Sequence, residues 1–356
     1  MKNHISLFIF AIALLSGPVS ANDLSMTAVK DTLASIPGEH NYIYVRTPLG
    51  EDEEKNYDEI TFYDGLGREL DFAQSYGADR AGAIMAHHHL IEYDSLGRKE
   101  KQWLSTNTSF SYMSPEDLKG GVLWDYHDAG KRSYLQTNYE SSPLNRITEQ
   151  YGVGDAWGDH PARMEYLTNI PADSLRCSFY FIDDNDSLIR RGDYRSGELQ
   201  VTKATDEDGK PTYTFVDKQG RTLLTRLGRG NQQADTYFVF DRFGRIRYVL
   251  PPMINDEISA GNLDLYAYQY LYDSFGRCIS KKLPGCAAIG YVYDKADRVI
   301  LSQNGNQSQK KEWTFTFYDN QGRLALTGLC SFNDPPSLDN SIVRAYRTTS
   351  EKDGVL

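Results

Sequence analysis

The chain has 356 residues, a formal charge of −11 and a hydrophobic content of 40%. That length allows one large domain or two smaller ones. The acidic balance argues against nucleic acid, whose phosphates need a basic face, and against an anionic membrane surface. Aromatic residues make up 12%, with 25 Tyr among them, which favours β structure.

Residues 1–21 read as a signal peptide. Lys2 and His4 precede an apolar run from Ile5 to Leu15, and Val19-Ser20-Ala21 supplies small residues for cleavage. The run is too short to span a bilayer, and no Cys follows it to carry a lipid. Asn22 is the expected first residue of the mature chain, which contains no other apolar segment long enough to cross a membrane. Residues 22–58 form a lead-in segment, with a short helix expected over Met26 to Ile36 and Ser25 as its cap.

Residues 59–330 carry one phrase repeatedly. With 32 Asp, 29 Gly and 22 Arg, chance gives roughly 0.2 copies of Asp-x-x-Gly-Arg, and such excess marks internal repetition. Six copies occur: Asp64-Gly67-Arg68, Asp94-Gly97-Arg98, Asp217-Gly220-Arg221, Asp241-Gly244-Arg245, Asp273-Gly276-Arg277 and Asp319-Gly322-Arg323. A seventh, Asp294-Asp297-Arg298, puts Asp in the Gly position. The Asp carboxylate opens a turn by accepting nearby backbone N–H groups. The Gly takes the left-handed conformation that closes a hairpin with a bulge, and Asp tolerates that conformation better than most residues. The Arg begins the returning strand opposite the Asp, where an ion pair is available.

Weaker reversals are expected at Asp206-Glu207-Asp208-Gly209, Tyr126 to Lys131, Tyr194 to Leu199 and Asp183 to Asp186. Between turns the chain alternates, as in Thr212-Tyr213-Thr214-Phe215-Val216 and Trp313-Thr314-Phe315-Thr316-Phe317, a period-two pattern that predicts strands. Ser114-Pro115-Glu116 reads as a helix start, with Ser as N-cap and Pro in the first turn. The remaining 331–356 form a C-terminal tail containing Asp334-Pro335-Pro336. A single hairpin is marginal in water. The fold expected is therefore all-β: antiparallel hairpins stacked into a curved sheet, partial shell or solenoid, each burying its face on the next.

These phrases resemble the bacterial RHS, or YD-repeat, family. The resemblance is carried further by FYDGLGREL (62–70), ESSPLNRITEQYGVGDAW (140–157), FDRFGRIRYVLPP (240–252) and KKLPGCAAIGYVYDKADRVILSQNGNQ (281–307), and it spans roughly residues 41–330. It is similar to the N-terminal module of large exported RHS-type proteins. It implies a β-repeat shell that can enclose a C-terminal effector, without the later core and toxin segments in this chain.

Other chemistry finds less support. His87-His88-His89 on a strand would place two imidazoles on one face, but no further ligand stands at metal spacing, and a surface or loop stretch is expected. Asp183 to Asp186 lacks the Gly and distant Glu of a calcium loop. No nucleophile elbow or phosphate loop occurs. Cys177, Cys278, Cys286 and Cys330 leave two readings open, disulfides in an exported chain or free buried thiols, and their pairing is not readable from sequence. Trp103, Trp124, Trp157 and Trp313 could stack on sugar rings, although core packing is the commoner fate of such residues. The expectation is a non-enzymatic, exported β-repeat scaffold without cofactor or metal. Its place is the periplasm, the cell surface or the medium, and its partner is another polypeptide that completes the shell. The alternative is a cell-surface carbohydrate-binding module whose partner is a glycan.

Overall fold

A computed structural model of the chain describes residues 36, 38, 40–48, 56–78, 84–127, 130–228, 233–254 and 257–331. The expected signal peptide, nearly all of the helix expected over 26–36, and all but the first residue of the tail lie outside these. The described residues contain 22 strands and three α-helices. Every described pairing is antiparallel; twenty strands belong to one sheet and two form a separate hairpin. The all-β expectation holds. The chain divides into two compact units. The first takes residues 1–164 and 205–209, and the second takes 165–204 and 210–356.

The first unit contains β1 (Asn41–Pro48), β2 (Asn56–Tyr63), β3 (Glu69–Ala78), β4 (Ile84–Tyr93), β5 (Lys99–Trp103), β6 (Thr106–Ser109), α1 (Pro115–Asp125), β7 (Tyr134–Tyr139) and β8 (Ile147–Tyr151). β1 to β4 pair in chain order. The first half of β4 then pairs with β6 and its last residues with β5, which passes the sheet on to β7 and β8. Alternation decides the core: Ile60 and Phe62 of β2, Ala73 of β3 and Ala86 of β4 all point inward, with Phe110 against them. The helix forms where the sequence placed its start. Ser114 Oγ accepts the Asp117 N–H at 3.1 Å, and Leu118 and Val122 are its buried side chains.

After β9 (Ala162–Thr168) come the hairpin of the second unit, β10 (Ser178–Ile182) and β11 (Leu188–Asp193), and then β12 (Gln200–Thr205). A ten-strand meander follows: β13 (Pro211–Val216), β14 (Thr222–Leu227), β15 (Ala234–Phe240), β16 (Ile246–Leu250), β17 (Tyr268–Tyr272), β18 (Cys278–Lys282), β19 (Ile289–Tyr293), β20 (Val299–Gln303), β21 (Glu312–Tyr318) and β22 (Leu324–Ser331). Two short helices interrupt it, α2 (Ala260–Tyr266) and α3 (Gly305–Lys310). In β13, Pro211, Tyr213 and Phe215 are buried and alternate with more exposed neighbours. Phe215 lies opposite Leu224 of β14, both fully buried, each such side chain contributing about 1.5–3 kcal/mol. The β10–β11 hairpin seals this core: the Tyr180 ring meets that of Tyr237 edge-on at 4.9 Å. The buried core concentrates under β13 to β16. By β22 three leucines, Leu324, Leu326 and Leu329, are exposed.

Candidate functional site: a ladder of repeat turns

Each of the seven phrases is a tight reversal of one design. The Asp N–H donates to the Arg carbonyl, and the Gly (or Asp297) N–H donates to the Asp carbonyl. One Asp oxygen accepts two N–H groups, those of the residue two positions on and of the Arg; in the third turn these are Gln219 at 2.8 Å and Arg221 at 3.0 Å. The other Asp oxygen accepts the Arg Nε–H, at 2.7 Å for Asp64–Arg68, Asp94–Arg98, Asp217–Arg221, Asp241–Arg245, Asp273–Arg277 and Asp319–Arg323, and 2.8 Å for Asp294–Arg298. Gly67, Gly97, Gly220, Gly244, Gly276 and Gly322 have φ between 77° and 86°, and Asp297 has 59°. At Gly97 a second constraint applies, because a Cβ there would come within 2.8 Å of Arg68 Nη1. The strand register slips beside each turn, as between Tyr272 and Leu271, which is the expected bulge.

The side chains also join one turn to the next, a feature that spacing did not reveal. The guanidinium of six of the seven Arg lies over the aromatic ring that precedes a later turn. Arg68 covers Tyr93 at 4.5 Å, Arg98 Tyr139 at 4.7 Å, Arg221 Phe240 at 5.0 Å, Arg245 Tyr272 at 4.8 Å, Arg277 Tyr293 at 5.0 Å and Arg298 Tyr318 at 4.9 Å. Wherever that ring is Tyr, its hydroxyl donates to the carbonyl of the residue after the same Arg: Glu69, Lys99, Ile246, Cys278 and Val299, at 2.7 to 3.2 Å. Arg98, Arg245 and Arg277 add a bond from Nη1 to the first carbonyl of the following turn. Five of these six rungs therefore combine a cation–π contact with a directed hydrogen bond, interactions worth about 0.5–2 and 0.5–1.5 kcal/mol respectively, and the Arg221–Phe240 rung has the cation–π contact alone.

Two further reversals share the design in degenerate form. Asp183 accepts the N–H groups of Asn185 and Ser187, and Asp186 takes the left-handed position with φ 64° and pairs with Arg247. In the first unit, Glu140 replaces Asp, Asn145 (φ 55°) replaces Gly, and Arg146 reaches both Glu140 oxygens at 2.7 Å. Two extra residues hide that turn from a five-residue pattern; the aromatic Tyr139 before an acid and the Asn-Arg pair are the signals that expose it.

The carboxyls of these turns are held below the usual range. At Asp94, Asp217, Asp241, Asp273 and Asp294 burial pushes upward, but the Arg backbone N–H and guanidinium outweigh it. At Asp64 and Asp319 the Arg backbone N–H is itself the largest influence. The Arg146 and Ser142 bonds draw Glu140 down to about 2. A carboxyl with a depressed folded-state pKa adds stability above its unfolded pKa and loses it as pH falls through the folded value. Unfolding midpoints in urea are therefore expected to be level near neutrality and to drop below about pH 4, where free carboxyls begin to protonate. Asp273→Asn should shallow that acid limb, and a midpoint that rises on acidification would contradict the assignment.

The remaining candidates separate. His88 is a buried residue of β4, not part of a surface loop: Nδ1 lies 2.7 Å from Asp71 Oδ2 and Nε2 lies 3.0 Å from the Ser109 carbonyl oxygen. The His87 ring meets the Asn107 side chain, and His89 packs near Phe72. Among the described residues no three His, Cys, Asp or Glu side chains converge as metal ligands would. Nor are the thiols uniformly buried: Cys177 is, and burial pushes it up to about 12, but Cys278 is half-buried and Cys286 exposed. The four tryptophans differ in exposure. Trp313 is buried in the second unit, Trp103 packs against Tyr134, and only Trp124 and Trp157 stand exposed. A hollow of about 330 Å³ beside the β10–β11 hairpin is lined by Phe179, Tyr194, Arg221 and Asp241, its one carboxylate, which Arg245 engages.

These features define an all-β antiparallel repeat fold. A sequence-family profile described as "Domain of unknown function (DUF6443)" matches residues 41–168. The fold is similar to the crystal structure of TcdB2-TccC3, with a TM-score of 0.54 and 14% identity over 83% of this chain and 14% of that one. It is similar also to TcdB2-TccC3 without its hypervariable C-terminal region, with a TM-score of 0.54 and 13% identity over 88% of this chain and 15% of that one. The chain thus spans about one seventh of the length of these structures, and the likeness is one of fold alone. No curated protein matches the chain.

Proposed function

We propose that this protein is a non-enzymatic β-repeat scaffold, exported to the cell envelope, that docks a partner polypeptide. The observation that carries this reading is the ladder itself. The polar side chains that a catalytic site would recruit, the aspartates and arginines of the seven phrases, are engaged in holding turns together and joining them. Strand edges are natural docking sites, because their unpaired N–H and C=O groups accept another strand. A glycan reading has one observation in its favour: Trp157, half exposed, walls a shallow hollow with His160, Glu207 and Asp208 in the first unit. Cross-linking in the native cells followed by mass spectrometry is expected to recover a polypeptide joined to this chain in the envelope or medium. Recovery of the uncrosslinked monomer alone, or in the cytoplasm, would overturn the scaffold reading. If a glycan array then shows binding that Trp157→Ala abolishes, the sugar reading replaces it.

A further inference from the structure

Among the described residues, the last rung of the ladder is open. Arg323 pairs with Asp319 as its six counterparts pair with theirs, yet no aromatic ring among the described residues covers its guanidinium. The difference shows in exposure: the Arg323 side chain is 73% exposed, against 14–35% for Arg68, Arg98, Arg221, Arg245, Arg277 and Arg298. The Leu324 carbonyl stands where Glu69, Lys99, Ile246, Cys278 and Val299 each accept a Tyr hydroxyl. Beside it, β22 pairs on one side with β21 and has no described strand on the other, and Leu324, Leu326 and Leu329 are exposed along it.

We infer that Arg323, the Leu324 carbonyl and the free edge of β22 form a socket for a hairpin bearing its own aromatic-Asp-x-x-Gly turn. This rests on the scaffold reading and specifies its partner. The occupant follows from strand direction. β22 runs away from its turn, so an antiparallel neighbour runs toward it and ends there in the aromatic residue, as β17 does beside β16 and β21 beside β20. A second copy of this chain does not fit through its first strand. Asn41 of β1 lies opposite Tyr63 at the turn end, so β1 also runs away from the turn and would lie parallel to β22. Residues 332–356 contain no aromatic-Asp-x-x-Gly phrase. The occupant is therefore a polypeptide segment outside these 356 residues, with Tyr preferred over Phe because five of the six filled rungs use the hydroxyl.

The test uses the chain from Asn22 and a fluorescent copy of its residues 268–282, with Cys278→Ser and its ends joined by a disulfide to hold the hairpin. Saturable binding is expected, weakened about tenfold by Arg323→Ala in the protein or by Tyr272→Ala in the peptide; tenfold corresponds to 1.4 kcal/mol, the scale of one rung. Arg323→Lys, which keeps charge but loses the planar face, is expected to fall between. An unchanged thermal melt for these exposed-site variants shows that the fold is intact. Absence of binding up to about 1 mM peptide overturns the proposal, since one rung plus a paired edge should exceed that affinity. Equal binding by the wild type and Arg323→Ala also overturns the socket. In either case, a polypeptide cross-linked elsewhere on the chain leaves the scaffold reading standing.

Discussion

Replacing Arg226 by alanine is expected to cost the second unit about 3–5 kcal/mol of unfolding stability, the range for removing one partner of a buried ion pair. The Arg226 side chain, on β14, is 3% exposed. Its Nε and Nη2 reach the two Asp235 oxygens at 2.7 and 2.6 Å, and Nη1 donates to the carbonyls of Ser174 and Arg176 at 2.9 and 2.8 Å. One guanidinium thus ties two neighbouring strands to the 3₁₀ segment that leads into the β10–β11 hairpin. Alanine would strand the Asp235 carboxylate and leave two backbone acceptors without a donor. Arg226→Lys should recover little, because a single ammonium cannot span four acceptors in a fixed fork. The double variant Arg226→Met/Asp235→Leu should lose less than Arg226→Ala, since neither charge is left behind. Urea unfolding of the three variants checks the order; a loss below about 1 kcal/mol for Arg226→Ala would show that the pair is hydrated, as exposed pairs are.

A comparable loss, again about 3–5 kcal/mol, is expected for His88→Ala in the first unit. The imidazole sits among Ala73, Ala86 and Leu90 on the inward face of its strands, and both ring nitrogens face acceptors, the Asp71 carboxylate and the Ser109 carbonyl. Removing the ring leaves Asp71 buried, with its second oxygen already lacking a protein partner. The double variant His88→Leu/Asp71→Leu should be milder than His88→Ala. Urea unfolding of the two variants checks the order. A loss below about 1 kcal/mol for His88→Ala would refute the expectation.

Several features were readable in the residues because their causes are local. A turn that needs one carboxylate at its start and one left-handed residue three positions on writes itself into five residues, so Asp-x-x-Gly-Arg located these reversals. Strand alternation is equally local, and it produced the all-β class. The helix at Ser114 followed from its cap. The turn from Glu140 to Arg146 was missed because two added residues break the spacing while leaving the acid, the left-handed Asn and the Arg in their places. The histidine run was misread for a different reason: a polar triplet on a strand carries no mark of which member turns inward, and only Asp71 on the adjacent β3 makes that burial tolerable.

Sequence alone determined the protein's grammar: an acidic, tyrosine-rich chain of antiparallel hairpins with Asp and Gly at the reversals. Tertiary structure decided how one hairpin grips the next. Each Tyr hydroxyl finds a carbonyl 15 to 40 residues earlier in the chain. No rule of sequence spacing reaches across so variable a separation, because the contact depends on which strands lie side by side. It was also tertiary structure that divided the chain into two units and left Arg323 uncovered among the described residues. A residue's neighbours in space set its burial, and burial decides whether an Arg holds a turn or waits for a ring.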